Sequence, residues 1–126
     1  MHGPMATLDT RDTLVYTIHA PPEEVYKYWI HPQLIRRWMA PPHYAVKEAE
    51  VDARVGGSYR IVTVGPAGDV HVTTGRYRDL VPGKRLVKTW IYEGPLAPSG
   101  RSESTLTVEM RESRPGVTQL TLRRSP

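Results

Sequence analysis

The sequence predicts an α+β domain, with two short helices near the amino end and an antiparallel sheet built from the remainder. Two observations carry this. The apolar period is about 3.6 across the segment from Pro22 to Met39 and about 2 after Pro42, with no return of helix signals. The period-2 runs are joined by short turn segments, which suit consecutive antiparallel strands and leave no room for crossover helices. A chain of 126 residues is one domain, taken here as 1–126.

Leu14-Val15-Tyr16-Thr17-Ile18 is β-branched and aromatic and runs into His19-Ala20-Pro21-Pro22, so it reads as a strand stopped by prolines. A helix starts there. Pro22 suits its first turn, Glu23 and Glu24 complement the positive end of the dipole, and Val25, Tyr28 and Trp29 recur at helical spacing. His31-Pro32 breaks it and opens a second helix, whose Leu34, Ile35, Trp38 and Met39 form one stripe before Pro41-Pro42.

Five or six strands follow, near Ala45–Ala53, Ser58–Val64, Val70–Leu80, Arg85–Glu93, Glu103–Glu112 and Val117–Arg123. Their separators are turn chemistry: Gly56-Gly57, Gly65-Pro66-Ala67-Gly68-Asp69, Val81-Pro82-Gly83-Lys84 and Arg114-Pro115-Gly116. Gly94 to Ser102 is a longer Pro/Gly/Ser loop at the rim, and residues 1–11 read as irregular. Ser104, Leu106, Val108 and Met110 alternate with Glu103, Thr105, Thr107 and Glu109, so one side of that strand packs inward. A sheet with one apolar face needs a cover, and two short helices are expected to cover only part of it.

Composition narrows the chemistry. There is no cysteine, which removes disulfides, thiolate zinc sites and cysteine nucleophiles together. The five histidines are widely spread and form no H-E-x-x-H or H-x-E pattern, so neither metal nor cofactor is expected. Gly57-Ser58-Tyr59 lacks the G-x-S-x-G pattern, and no phosphate-binding glycine spacing occurs. Apolar residues at 39 %, charged residues at 24 % and a mean hydropathy of -0.46 describe a soluble chain. With no run of membrane-spanning length and no signal-peptide pattern, a cytoplasmic location is expected. The net charge is +4, and residues 51–126, with 12 basic and 7 acidic side chains, carry +5 of it against −1 in the first 50; the excess is scattered, which reads as a solvated face.

The residues also carry a family pattern. Ala20-Pro21-x-x-x-Val25, Leu34-x-x-x-Trp38, Val55-Gly56-Gly57-x-Tyr59-Arg60, Gly75-x-Tyr77 and Pro82-x-x-Arg85-Leu86-x-x-Thr89-Trp90 stand in this order over nearly the whole chain. Together they resemble the START-like helix-grip superfamily (SRPBCC), and within it the bacterial relatives of the heat-shock chaperone ATPase activator. The resemblance implies a curved antiparallel sheet of six or seven strands gripping a long C-terminal helix, with an apolar cavity between them. This sequence stops at Ser125-Pro126 without that helix. The concave face is therefore expected to be covered by a symmetric partner (a homodimer), a ligand, or residues of a longer parent chain.

Family phase and strand alternation give the candidate ligand-binding set: Trp38, Tyr59, His71, Tyr77, Lys88, Trp90, Tyr92 and Met110. Trp38 reads first as core, whereas Tyr59, Tyr77, Trp90 and Tyr92 carry polar tips that need partners in a core or a cavity alike. Lys88 stands where the family more commonly has an apolar residue. The plain reading is an outward or snorkelling lysine; buried, its amine would have to be paired or neutralised and would suit a carboxylate ligand. His71 is either an ordinary hydrogen-bonded histidine or a general base oriented by Tyr77 or Glu93. The expected function is non-catalytic binding of a small apolar or amphipathic molecule. The alternatives are a small polyketide-cyclase-like enzyme using His71 and the tyrosines, and a chaperone-interacting module. Nucleic acid is disfavoured because no RNP-like signature accompanies the aromatics.

Overall fold

A computed structural model describes residues 13–126, and the reading of 1–11 as irregular lies outside them. The chain runs β1 (Thr13–Ile18), α1 (Pro22–Ile30), α2 (Pro32–Trp38), β2 (Ala45–Val51), β3 (Ser58–Val64), β4 (Val70–Val81), β5 (Arg85–Glu93), β6 (Arg101–Arg114) and β7 (Val117–Ser125). All pairings are antiparallel, in the order β1-β7-β6-β5-β4-β3-β2. This order places β1 and β2 on opposite edges. The only chain joining those edges is α1 and α2, so the helices must cross one face of the sheet, and α1 packs on β6 and β7 while α2 packs on β2.

The helix boundaries follow from the prolines. Pro22 opens α1 without a side-chain cap, and the amides of Glu24 and Val25 donate to the Pro21 carbonyl at 3.0 and 3.1 Å. His31 precedes Pro32 and is held extended, which ends α1 and starts α2. The buried stripe of α1 is Pro22, Val25, Tyr26 and Trp29, spaced i, i+3, i+4, i+7. Tyr28, expected on that stripe, is instead 39 % exposed, because Val25 and Trp29 fix the inward direction and Tyr26 shares it. The two helices are locked by Trp38, whose ring meets Trp29 edge-on at 4.7 Å and whose indole N–H donates to the Tyr28 carbonyl at 2.8 Å.

Strand limits shift where turns are tighter than the composition suggested. β6 begins at Arg101 and reaches Arg114, and β7 extends to Ser125, because the link between them is a two-residue turn with Gly116 at φ 75°. Irregular register at Val46/Glu48, Tyr77/Asp79 and Glu112/Arg114 bends the sheet. The inward residues Ile61, Leu86, Leu106, Val108, Leu120 and Leu122 form the core with the helix stripe. Thr118 is fully buried because its hydroxyl donates to the Ala20 carbonyl at 2.7 Å, fastening β7 to the start of the helical crossing. Exposed pairs such as Arg60–Glu48 and Arg123–Glu109 sit on the outer surface, where such pairs contribute little.

One irregularity positions the site. The β4–β5 ladder passes from Thr74↔Ile91 to Tyr77↔Lys88, and side chains supply the bonds between. The Arg76 amide donates to Thr89 Oγ1 at 2.8 Å, and Tyr59 Oη donates to the Thr89 carbonyl at 2.6 Å. Tyr59 reaches that carbonyl across Gly75. A Cβ at Gly75 would collide with the Thr89 carbonyl oxygen and stand 2.8 Å from both Thr89 Oγ1 and Tyr59 Cε1. Gly75→Ala should therefore cost about 2–3 kcal/mol, more than the ~1 kcal/mol of Tyr59→Phe, which removes one hydrogen bond. Urea unfolding of both variants checks this; a Gly75→Ala protein as stable as the parent would contradict it.

Candidate functional site

Tyr77 and Lys88 face each other across β4 and β5 immediately beside that interruption. Strand alternation turns both inward, and their exposures are 1 % and 0 %. The outward or snorkelling Lys88 is thereby overturned: its phase on β5 is that of the buried Leu86 and Trp90, and its side chain is fully enclosed. The amine lies 4.3 Å from the centroid of the Tyr59 ring and 5.6, 5.7 and 5.9 Å from those of Trp90, Trp29 and Tyr77. Among the described residues, neither Lys88 Nζ nor Tyr77 Oη has a hydrogen-bond partner.

The electrostatics follow from burial. Loss of hydration disfavours the ammonium and pushes the Lys88 pKa down to about 7. The same desolvation raises Tyr59 and Tyr77 above the usual phenol value, so both remain neutral. The four ring faces attract whatever fraction of the amine is protonated, without supplying a hydrogen bond. The result is a dry pocket-sized cluster holding one nucleophilic amine and one phenolic proton.

Of the eight predicted residues, Tyr59, Tyr77, Lys88 and Trp90 come together. Trp29 of α1 completes the cluster; it is recognisable as an inward helix residue, but only the tertiary packing shows that its ring, from a helix seated on β6 and β7, reaches the Lys88 amine. Trp38 meets the cluster through Trp29. Met110 is buried four residues beyond Leu106, the partner of Lys88, roughly 13 Å along the sheet.

His71 and Tyr92 form a second cluster. His71 stands six residues before Tyr77 on β4, roughly 20 Å away. Its Nδ1 lies 2.6 Å from Tyr92 Oη and its Nε2 2.5 Å from Asp69 Oδ2, with the Tyr44 ring at 5.6 Å. The Leu96 amide donates to Tyr92 Oη at 3.1 Å, so the phenol proton points to His71 Nδ1 and the Nε2 proton to Asp69. The hydrogen bond from His71 holds the Asp69 carboxyl below its ordinary value. Neither Tyr77 nor Glu93 orients the imidazole; strand direction carries Tyr77 away, and the Asp69 carboxylate arrives from the β3–β4 turn. With both ring nitrogens engaged, His71 ties that turn to the 94–100 loop and offers no free nitrogen to a substrate.

The apolar hollow expected over the concave face is filled. Tyr59, Ile61, Tyr77, Leu86, Lys88, Trp90 and Leu106 are all buried within the single chain. The helices, drawn across the sheet by the β1 and β2 edge positions, supply a cover that an element count underestimates. Two open grooves lie elsewhere. One of about 650 Å³ on the outer face, edged by Glu50, Asp52, Arg60 and Arg76, meets the concave set at Tyr59 and Gly75. Another of about 630 Å³, between the start of α1 and the end of β6, meets it at Met110. Among the described residues no three His, Asp or Glu side chains converge as a metal site requires. No described helix is long and apolar enough to cross a membrane.

A curved seven-stranded antiparallel sheet with two helices between its first and second strands is a helix-grip domain. Residues 19–126 match the family described as Activator of Hsp90 ATPase homolog 1-like protein, and the chain belongs to that family. A solved protein from Chromobacterium violaceum is similar at 29 % identity and a TM-score of 0.79, over 94 % of this chain and 82 % of that one. One from Rhizobium leguminosarum is 27 % identical with a TM-score of 0.71, over 90 % and 75 %. An HSP90 activator from Plasmodium falciparum shares the fold at 19 % identity and a TM-score of 0.65, over 93 % and 73 %. The sequence matches no curated protein.

The buried amine predicts a signed pH dependence. Between its folded value of about 7 and its ordinary value of 10.5, the unfolded chain binds more protons at this site, so stability rises with pH across that window. Below about 7 the burial cost is fully present. Above about 10 the raised tyrosines act in the opposite sense. Lys88→Met should remove the rise and stabilise the neutral-pH protein by on the order of 3 kcal/mol. Denaturant unfolding of both proteins at about pH 7 and about pH 9.5 measures it; parallel pH profiles would show that Lys88 is not buried as an amine.

Proposed function

We propose that this domain binds a small amphipathic molecule, without catalysis, at the concave face between the sheet and the two helices. One observation supports this reading above the others: Lys88 Nζ and Tyr77 Oη, on paired residues, are both buried and both unpartnered. Leaving such groups unsatisfied costs roughly 1–3 kcal/mol each, and a ligand bringing one acceptor oxygen offsets both costs at once. The aromatic rings around them suit the apolar body of the same molecule. Entry requires the cover to shift, and that cover is two helices of nine and seven residues, too short to be stable apart from their packing.

The family description favours a second reading, contact with a chaperone. Such contact is a surface property and gives no reason for an amine inside the domain. An acid–base role for His71 fits less well, since the chain's own groups occupy both ring nitrogens.

Calorimetric titration with octanoate and with 3-phenylpropanoate tests the reading. One-to-one binding is expected, weakened about tenfold or more in Lys88→Met and in Tyr77→Phe, which corresponds to ~1.4 kcal/mol per substitution. Failure of both acids to bind, or equal affinity in both variants, would overturn it. Capture of the chaperone by the parent protein and both variants alike, with no acid bound, would favour the second reading.

A further inference from the structure

Resting on the ligand site above, we infer that Lys88 is a covalent capture point for small apolar aldehydes and ketones, its amine condensing with the carbonyl while the Tyr77 hydroxyl relays the protons. The surroundings of the amine carry the argument. A lysine buried for structural reasons is paired with a carboxylate, because an unpaired buried charge is costly. Here the groups facing Nζ are the rings of Tyr59 from β3, Tyr77 from β4, Trp90 from β5 and Trp29 from α1, none of them anionic. Among the described residues, the charged groups near this shell are Arg124 of β7, 5.9 Å from the Trp90 ring centroid, and Asp79, which acts on Tyr26 of α1. The site therefore keeps an amine in a state fit to attack, as the depression of its pKa to about 7 also indicates.

The second orphaned atom matches what the reaction needs. The nitrogen lone pair attacks the carbonyl carbon, and the C=O π pair moves to oxygen. A proton passes from nitrogen to that oxygen through Tyr77 Oη, giving a neutral carbinolamine. Tyr77 then protonates the departing hydroxyl, the C–O bond breaks, water leaves, and the nitrogen lone pair forms C=N. The iminium proton returns to the Tyr77 oxygen. One amine and one carbonyl give one imine and one water, with no change of oxidation state. A site without water favours the imine by excluding the reverse reactant, and the aromatic faces receive the transient iminium charge. Among the described residues the side chains facing Nζ are aromatic and uncharged, which sets the class: a carbonyl on an uncharged apolar body.

The sequence provides its own control, since the other lysines, Lys27, Lys47 and Lys84, are all exposed. The full chain is incubated with hexanal and sodium cyanoborohydride at neutral pH, followed by intact mass and peptide mapping. A single reduced adduct on Lys88 is expected, formed at least about tenfold faster than on any exposed lysine. Tyr77→Phe should slow Lys88 modification about tenfold while leaving Lys27, Lys47 and Lys84 unchanged, and Lys88→Met should abolish the fast adduct. Since Lys88→Met and Tyr77→Phe each replace an unsatisfied polar group by an apolar one, both variants should fold, which circular dichroism confirms. Modification confined to the exposed lysines overturns the inference. Octanoate titration separates the two readings: acid binding without Lys88 trapping leaves the ligand site standing and removes covalent capture, whereas neither acid binding nor trapping removes both.

Discussion

The interior is organised around an amine that the chain does not satisfy. Lys88 lies within a shell of four aromatic rings contributed by three strands and a helix, and every other distinctive feature nearby serves to hold that shell in place. Tyr59 stands against the amine because its hydroxyl is fixed to the Thr89 carbonyl. That bond needs β4 and the Tyr59 ring to approach Thr89 closely at Gly75, where a Cβ would collide with the Thr89 carbonyl oxygen and crowd the ring. A missing methyl group on one strand thus lets a ring on a second strand meet the amine on a third.

Topology supplies the rest of the enclosure. β1 and β2 occupy opposite sheet edges, so the segment joining them must cross a face, and two proline-delimited helices make that crossing. Trp29 reaches Lys88 as a consequence, and Trp38 braces Trp29 from the next helix. The small cover explains how a sheet of seven strands hides so many large side chains within one chain. It is attached through the α1 stripe with Ile35 and Met39, and through the Thr118 hydroxyl on the Ala20 carbonyl.

The elements and their order were legible in the residues, because the change of apolar period at Pro42 and the glycine-bearing turns are local signals. So was the inward set on β3 to β6, which alternation fixes once any member is known to be buried. What local signals do not carry is which inward residues meet. Tyr77 and Lys88 are partners by register, a non-local property, whereas His71 lies on the same face and strand as Tyr77 yet belongs to another cluster. Lys88 was misread for a related reason: chemistry argues for an outward lysine, strand phase for an inward one, and only packing decides that phase prevails. Tyr28 faces outward where Tyr26 faces inward because two positions along a helix are a rotation of about 160°.

The outcome at Lys88 bears on why the residue is there at all. A methionine or leucine at this position would fill the shell, lose no hydration and leave no donor unmet, so folding alone selects against the amine. The same holds for Tyr77, where a phenylalanine would serve packing equally well. Two independent departures from the apolar optimum, on paired residues of adjacent strands, place an unmet donor beside a neutral phenol in the driest part of the domain. Natural cores accept such a cost where the group acts on something other than the fold, and the proposed amphipathic ligand, with one oxygen-bearing end, is of the kind that would meet both atoms.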